Sequence, residues 1–200
     1  MDITQLILDD HYEQRRLFAI LEQVDPGDRD TLRAVWDRLA AFLELHAAAE
    51  EEVFYPELLR VGTSARRTGQ VEEETVDAIG DHNDIRDAVG QAALHPVGSD
   101  EWYAAVTQAN LANSDHMAEE EREGLTDFRH LASLQLRHDL AVAFIRYETE
   151  HYRGVTPVDK DPAGYVHAIE ADDAGAAGDG PAGDGPAGDG SLSIGSLKAR

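Results

Sequence analysis

The chain contains no cysteine. That absence removes disulfides, thiolate metal ligands and cysteine nucleophiles together. Nothing in the composition asks for an oxidising compartment, so a cytoplasmic location is expected. Positive charge is scarce. Seventeen Lys and Arg stand against 40 Asp and Glu, a formal charge of −23. Nucleic acid and anionic membrane both repel such a polyanion, and neither is expected as a partner. No stretch approaches the ~18 consecutive apolar residues of a membrane span. The N-terminal MDITQLILDDHYEQ lacks the basic start and the long apolar run of a signal peptide. No Ser-His-Asp arrangement, phosphate loop or dinucleotide fingerprint occurs. What remains is a 42% hydrophobic content, enough for a core, and nine histidines, the one oddity of the composition.

The pattern is helical almost throughout residues 1–153, with no strand-like alternation and no hairpin dipeptide between apolar runs. A first segment runs from about Ile3 to Val24 and stops at Asp25-Pro26-Gly27-Asp28. A second starts near Asp30, read as its N-cap, and reaches about Leu59, with Pro56 expected to end or kink it. A polar loop is expected over Gly62–Gly69, then a third segment to about Leu94. Ser99 caps a fourth, which extends to Glu123 with Gly124 weakening its end. A fifth helix spans about Leu134–Tyr152, with Leu136, Leu140, Phe144, Tyr147 and His151 on one stripe. Residues 163–170 read as a last turn or two. The expected fold is all-α: an up-down-up-down antiparallel four-helix bundle over residues 1–125, with an additional C-terminal helix and extension over 126–170 packed on it. Residues 171–200 carry a GDGPA repeat with little apolar bulk. They read as a disordered acidic spacer rather than a calcium-binding tract.

His11, His46, His82 and His116 lie 35, 36 and 34 residues apart. Counted to the turns of an antiparallel bundle, that spacing brings the four imidazoles to one level, within about 5 Å at a rise of 1.5 Å per residue. Each interrupts an apolar stripe: Ile3-Ile7-His11-Phe18, Leu39-Leu43-His46-Val53, Thr75-Ile79-His82-Ile85 and Ala105-Ala109-Ala112-His116. Glu50 follows His46 by four residues and Glu120 follows His116 by four, so each acid shares a face with its His. Two acids meeting in a bundle core are costly unless something positive lies between them, and no Lys or Arg lies on these stripes beside them. A pair of cations, bridged by the carboxylates and held by the imidazoles, resolves the conflict. Nitrogen and oxygen donors without sulfur suit iron, manganese or zinc.

The stretches DDHYEQRR, LHAAAEEEVFYP, GDHNDIRD and SDHMAEEERE resemble the haemerythrin-like family, the HHE cation-binding domain, over about residues 1–125. The resemblance implies a four-helix bundle around two iron ions, Fe2+ or Fe3+, joined by an oxo or hydroxo bridge. By position, His11 and His46 would hold one iron, His82 and His116 the other, and Glu50 and Glu120 would bridge. It further implies O2, NO or H2O2 as the small ligand, and with peroxide a link to oxidative stress. Two departures stand out. Oxygen-carrying members place a further His one turn before that of the third helix, where this chain has Ala78; one turn after is Arg86. The fourth-helix acid is Glu at i+4 rather than Asp at i+5. One metal is thus short of a nitrogen ligand, which favours sensing or reactivity over reversible oxygen carriage. A Tyr55 phenolate would complete that site; the other reading is a tyrosine at the core edge. Gln14, Glu51, Glu119 and Glu121 read as solvated or as supports behind the ligands. His130, His138, His151 and His167 lack paired carboxylates, and His95 falls in a turn. Three functions share this site: binding of a small ligand or oxidant, catalysis of the peroxide-consuming or oxidase type, and an interaction module that metal only stabilises.

Overall fold

The computed structural model describes residues 1–178. Its regular elements are helical: α1 (Ile3–Gln23), α2 (Arg29–Ala49), a π-helical turn (Glu50–Phe54), α3 (Tyr55–Ser64), α4 (Thr68–Ala93), α5 (Asp100–Arg122), α6 (Gly124–Leu131), α7 (Leu134–Glu150) and α8 (Pro162–Gly178). No strand occurs among the described residues, and no helix among them is long and apolar enough to cross a membrane.

Short polar side chains start α1, α2, α5 and α7. Asp2 accepts from the Thr4 amide at 3.1 Å, Ser99 from Trp102 at 3.2 Å and Ser133 from Leu136 at 3.1 Å, each meeting one of the free amides of a first turn. The cap of α2 is Asp28, which accepts from Thr31 at 3.1 Å; Asp30, expected there, lies inside the first turn. Asp25 folds the preceding turn by accepting from the Gly27 amide at 2.7 Å.

Pro56 does not end the second segment. The chain widens into the π turn, with the Tyr55 amide bonded to the Glu50 carbonyl, and Pro56 falls in the first turn of α3, where its missing N–H costs nothing. Helix then continues to Ser64 and resumes at Thr68, so the expected Gly62–Gly69 loop shrinks to residues 65–67. Gly62 is there for packing: a Cβ at that position would collide with the Val71 side chain of α4. At the other end α8 runs to Gly178, about two turns past the expected limit of 170. Its alanine-rich sequence favours helix, and Asp173 accepts from Arg60 of α3 at 2.9 Å. The rest of the expected tail, residues 179–200, lies outside the described residues.

Two apolar clusters fill the interior. One gathers Ile3, Ile7, Phe54, Leu58, Ile79, Phe128 and Phe144. The other gathers Leu17, Phe18, Leu32, Trp36, Leu39, Ile85 and Trp102, with the two indoles edge to face at 5.9 Å. The four stripe histidines belong to neither cluster. In α1, α2 and α4 each lies in sequence between the residues that its helix gives to the two clusters, His116 follows those that α5 gives to the second, and together they form a buried polar layer. α7 packs on α1 and the π turn, and α8 packs on α4.

Candidate metal centre

His11, His46, His82, His116, Glu50 and Glu120 are all buried, none more than 5% exposed. The π turn sets half of this arrangement. In an α-helix residues i and i+5 point about 140° apart; the widened turn places Glu50 and Tyr55 on one face, and both enter the layer.

The inner atoms converge. Glu50 Oε1 lies 2.9 Å from His46 Nε2, and Glu50 Oε2 lies 3.3 Å from His82 Nε2 and 4.0 Å from His116 Nε2. Glu120 Oε2 lies 3.3 Å from His11 Nε2. The His82 and His116 Nε2 atoms face each other at 3.2 Å. Two sets of three potential ligands result, His11-His46-Glu50 and Glu50-His82-His116, and Glu50 belongs to both. Glu120 stands beside the first set, held by the Tyr55 hydroxyl, which donates to its Oε1 at 2.8 Å.

Behind the imidazoles runs a ring of carboxylates. His46 Nδ1 donates to Asp10 at 3.1 Å, His82 Nδ1 to Glu51 at 2.9 Å and His11 Nδ1 to Glu121 at 3.0 Å; His116 Nδ1 faces Asp81 at 3.6 Å. Each helix thus supports the imidazole of the next: α1 that of α2, the π turn that of α4, α4 that of α5, and α5 that of α1. A proton on Nδ1 leaves the Nε2 lone pair free to point inward. Glu51 is the most heavily used member, since Arg86 donates to it at 2.9 Å and Lys160 pairs with it at 2.6 Å.

The buried carboxylates of this layer hold positive charge on the imidazoles. Burial alone would favour the neutral form of His82, but the Glu50 and Glu51 carboxylates beside it overrule it and lift the imidazole to about 9. Burial also works against the Glu51 carboxylate, yet His82, Lys160 and Arg86 bring it down to about 2. Glu50, deeply buried, is held well below the ordinary carboxylate range by His46 and His82. Tyr55 goes the other way. Burial, with Glu120 and Glu50 close by, pushes its phenol well above 10, so it keeps its proton and acts as a donor to Glu120.

A metal cation fits these residues. His11 Nε2, His46 Nε2, both Glu50 oxygens and Glu120 Oε2 are buried with no hydrogen-bond partner. Among the described residues no Lys or Arg pairs with Glu50 or Glu120. Such groups are rare in folded proteins and costly. Here they are also the nitrogen and oxygen donors that a borderline or hard divalent metal selects.

Sequence reasoning brought forward His11, His46, Glu50, His82, His116, Glu120 and Tyr55, and the structure gathers all seven in this layer. Glu51 and Glu121 sit behind the imidazoles, while Glu119 is exposed. Gln14 is buried one turn below His11 and accepts from Asn113 at 3.0 Å. Asp10 and Asp81 join Glu51 and Glu121, behind His46 and His116, and their mark in the sequence is an Asp directly before His11 and before His82. His130, His138 and His167 are exposed, and His151 stacks on Tyr147 at 4.1 Å, away from the layer.

Comparison with curated proteins and with solved structures returned no match. A family model does match, that of the Hemerythrin HHE cation binding domain, over residues 2–127. All seven site residues lie inside that span, so this chain belongs to the hemerythrin HHE family of cation-binding proteins.

Proposed function

We propose that this chain is a non-haem di-iron protein that binds a small ligand or oxidant (O2, NO or peroxide) at a coordination position its own residues leave open. In this reading α1, α2, α4 and α5 run up-down-up-down. His11 and His46 would hold one iron and His82 and His116 the other, with Glu50 shared between them and Glu120 contributing beside His11. The carrying observation is the shared Glu50, whose two oxygens face different histidine pairs and meet no other partner. When bound, iron would supply redox chemistry and Lewis acidity at that point.

The protein's own part is positional. Asp10, Glu51 and Glu121 fix three imidazole tautomers, and Tyr55 orients Glu120. Beside His116, Glu120 and Tyr55 lies a cavity of about 30 Å³ under Ala78, the position where oxygen-carrying relatives place a further His. That volume suits one water-sized or diatomic guest.

The test is metal analysis of the protein purified from its own host, with optical spectra before and after NO or peroxide. Iron should approach two per chain, the spectrum should respond, and His82→Ala should lower the iron content. Unchanged iron in that variant would mean the ligand set is wrong.

A further inference from the structure

A second and larger cavity, about 280 Å³, reaches the same layer from the other side, between α2 and α4. Its inner end is formed by His46, His82 and His116, and its walls by Leu43, Ala47, Ile85 and Val89. It is too large for the ligands considered above. An apolar cavity of about 150 Å³ holds benzene, whereas a diatomic needs a small fraction of that. The space exists because Ala40, Ala47, Gly90 and Ala93 stand where larger side chains would fill it.

Outside the histidine layer, the polar side chains on its walls are already paired. Arg86, the one Lys or Arg on the wall, donates to Glu44 at 2.8 Å and to Glu51 at 2.9 Å. Asn113 gives its amide N–H to Gln14. A charged guest would find no free counter-charge there and would lose its hydration on entry. One side is closed by Pro157, in the segment joining α7 to α8. That segment is bolted to α4: Asn83 donates to the Lys160 carbonyl at 2.8 Å and accepts from its amide at 3.1 Å. Pro157 and Lys160 lie beyond residue 127, where the family match ends.

We propose that the cavity between α2 and α4 binds an uncharged, mostly apolar organic molecule of about a dozen non-hydrogen atoms, seated against His46, His82 and His116. The one inner-wall atom without a partner, His46 Nε2, is buried and belongs to the layer that the guest would touch. This goes beyond the di-iron reading and stands on the cavity alone, since the guest needs no metal to bind.

The probe is naphthalene, titrated calorimetrically into the full chain with and without iron, with 2-naphthoate as the charged control. One naphthalene should bind per chain in both forms, with NOEs to the Leu43 and Ile85 methyls, and 2-naphthoate should bind at least about tenfold more weakly. Val89→Trp, which fills the wall from α4, and Ala40→Phe, which fills it from α2, should each weaken naphthalene binding at least about tenfold with iron content unchanged. No saturable binding, NOEs to other residues, or equal affinity in a folded variant would overturn the proposal. Iron loading without naphthalene binding defeats this inference alone, and naphthalene binding without iron loading defeats only the di-iron reading.

Discussion

The α1–α2 and α4–α5 hairpins carry the same motif, Asp-His on the first helix and His-x-x-x-Glu-Glu on the second. In both, the Asp supports the imidazole of its own hairpin, and the last Glu supports an imidazole of the other. Yet the halves are not equivalent. After Glu50 the chain enters a π turn that brings Tyr55 inward; after Glu120 it breaks at Glu123 and restarts as α6. Glu50 faces three imidazoles with no other partner, whereas Glu120 faces one and is tied down by Tyr55. Asp10 holds His46 at 3.1 Å, while Asp81 stands 3.6 Å from His116 beside the small cavity. A repeated motif therefore supplies the candidate ligands, and departures from the repeat make their two sets different.

The largest expected effect follows from removing the shared acid. Glu50→Ala should reduce bound metal from two per chain to nearly none, whereas Glu120→Ala should retain at least one, read by native mass spectrometry. Equal losses in the two variants would mean that the hairpins are equivalent after all. Next comes the support ring. Glu51→Gln removes the negative charge that His82, Arg86 and Lys160 share and should weaken metal binding about 10–100-fold. Tyr55→Phe frees Glu120 and should fall in the lower part of that range. Asp81→Asn, which removes only a long contact, should change affinity least. Competition with a chelator gives all three, and an Asp81→Asn loss as large as that of Glu51→Gln would contradict the order.

The metal-free protein carries its own pH signature. His82 is lifted from 6.5 to about 9 on folding, so the folded chain binds a proton there more tightly than the unfolded one. The resulting stability is fully present below about pH 6.5 and is lost as pH rises through about 9. The melting temperature of metal-free protein should fall across that window. The same proton must leave before a metal can take His82 Nε2, so metal affinity should rise over the same range. Glu51→Gln should flatten both trends. A smaller effect belongs to the fold: Gly62→Ala forces a Cβ into Val71 and should lower the melting temperature while leaving metal content unchanged.

Much of this was legible in the sequence, because it depends on period and spacing. Four histidines on apolar stripes at near-equal intervals, with acids one turn on, indicate a buried polar layer before any coordinates exist. Breaks at Pro26-Gly27 and Pro96-Gly98 depend on local backbone chemistry and fell where expected. Other features depend on what lies opposite. Pro56 signals a broken helix, and whether a π turn absorbs it is decided by the packing of Tyr55 and Glu50, which no local pattern records. Gly62 looks like a loop residue until Val71 is seen against it. In Asp28-Arg29-Asp30 either acid could cap a helix, and the choice depends on the turn before it. The support ring was visible only as four acids next to ligands, and their partners lie on other helices.

The central claim is that one carboxylate serves two metals. The direct test is anomalous X-ray diffraction at the iron edge from crystals of the iron-loaded protein. Two anomalous peaks are predicted, one within bonding distance of His11 and His46, the other of His82 and His116, with Glu50 ligating both. A single peak, or two peaks with Glu50 turned away from either, would contradict it.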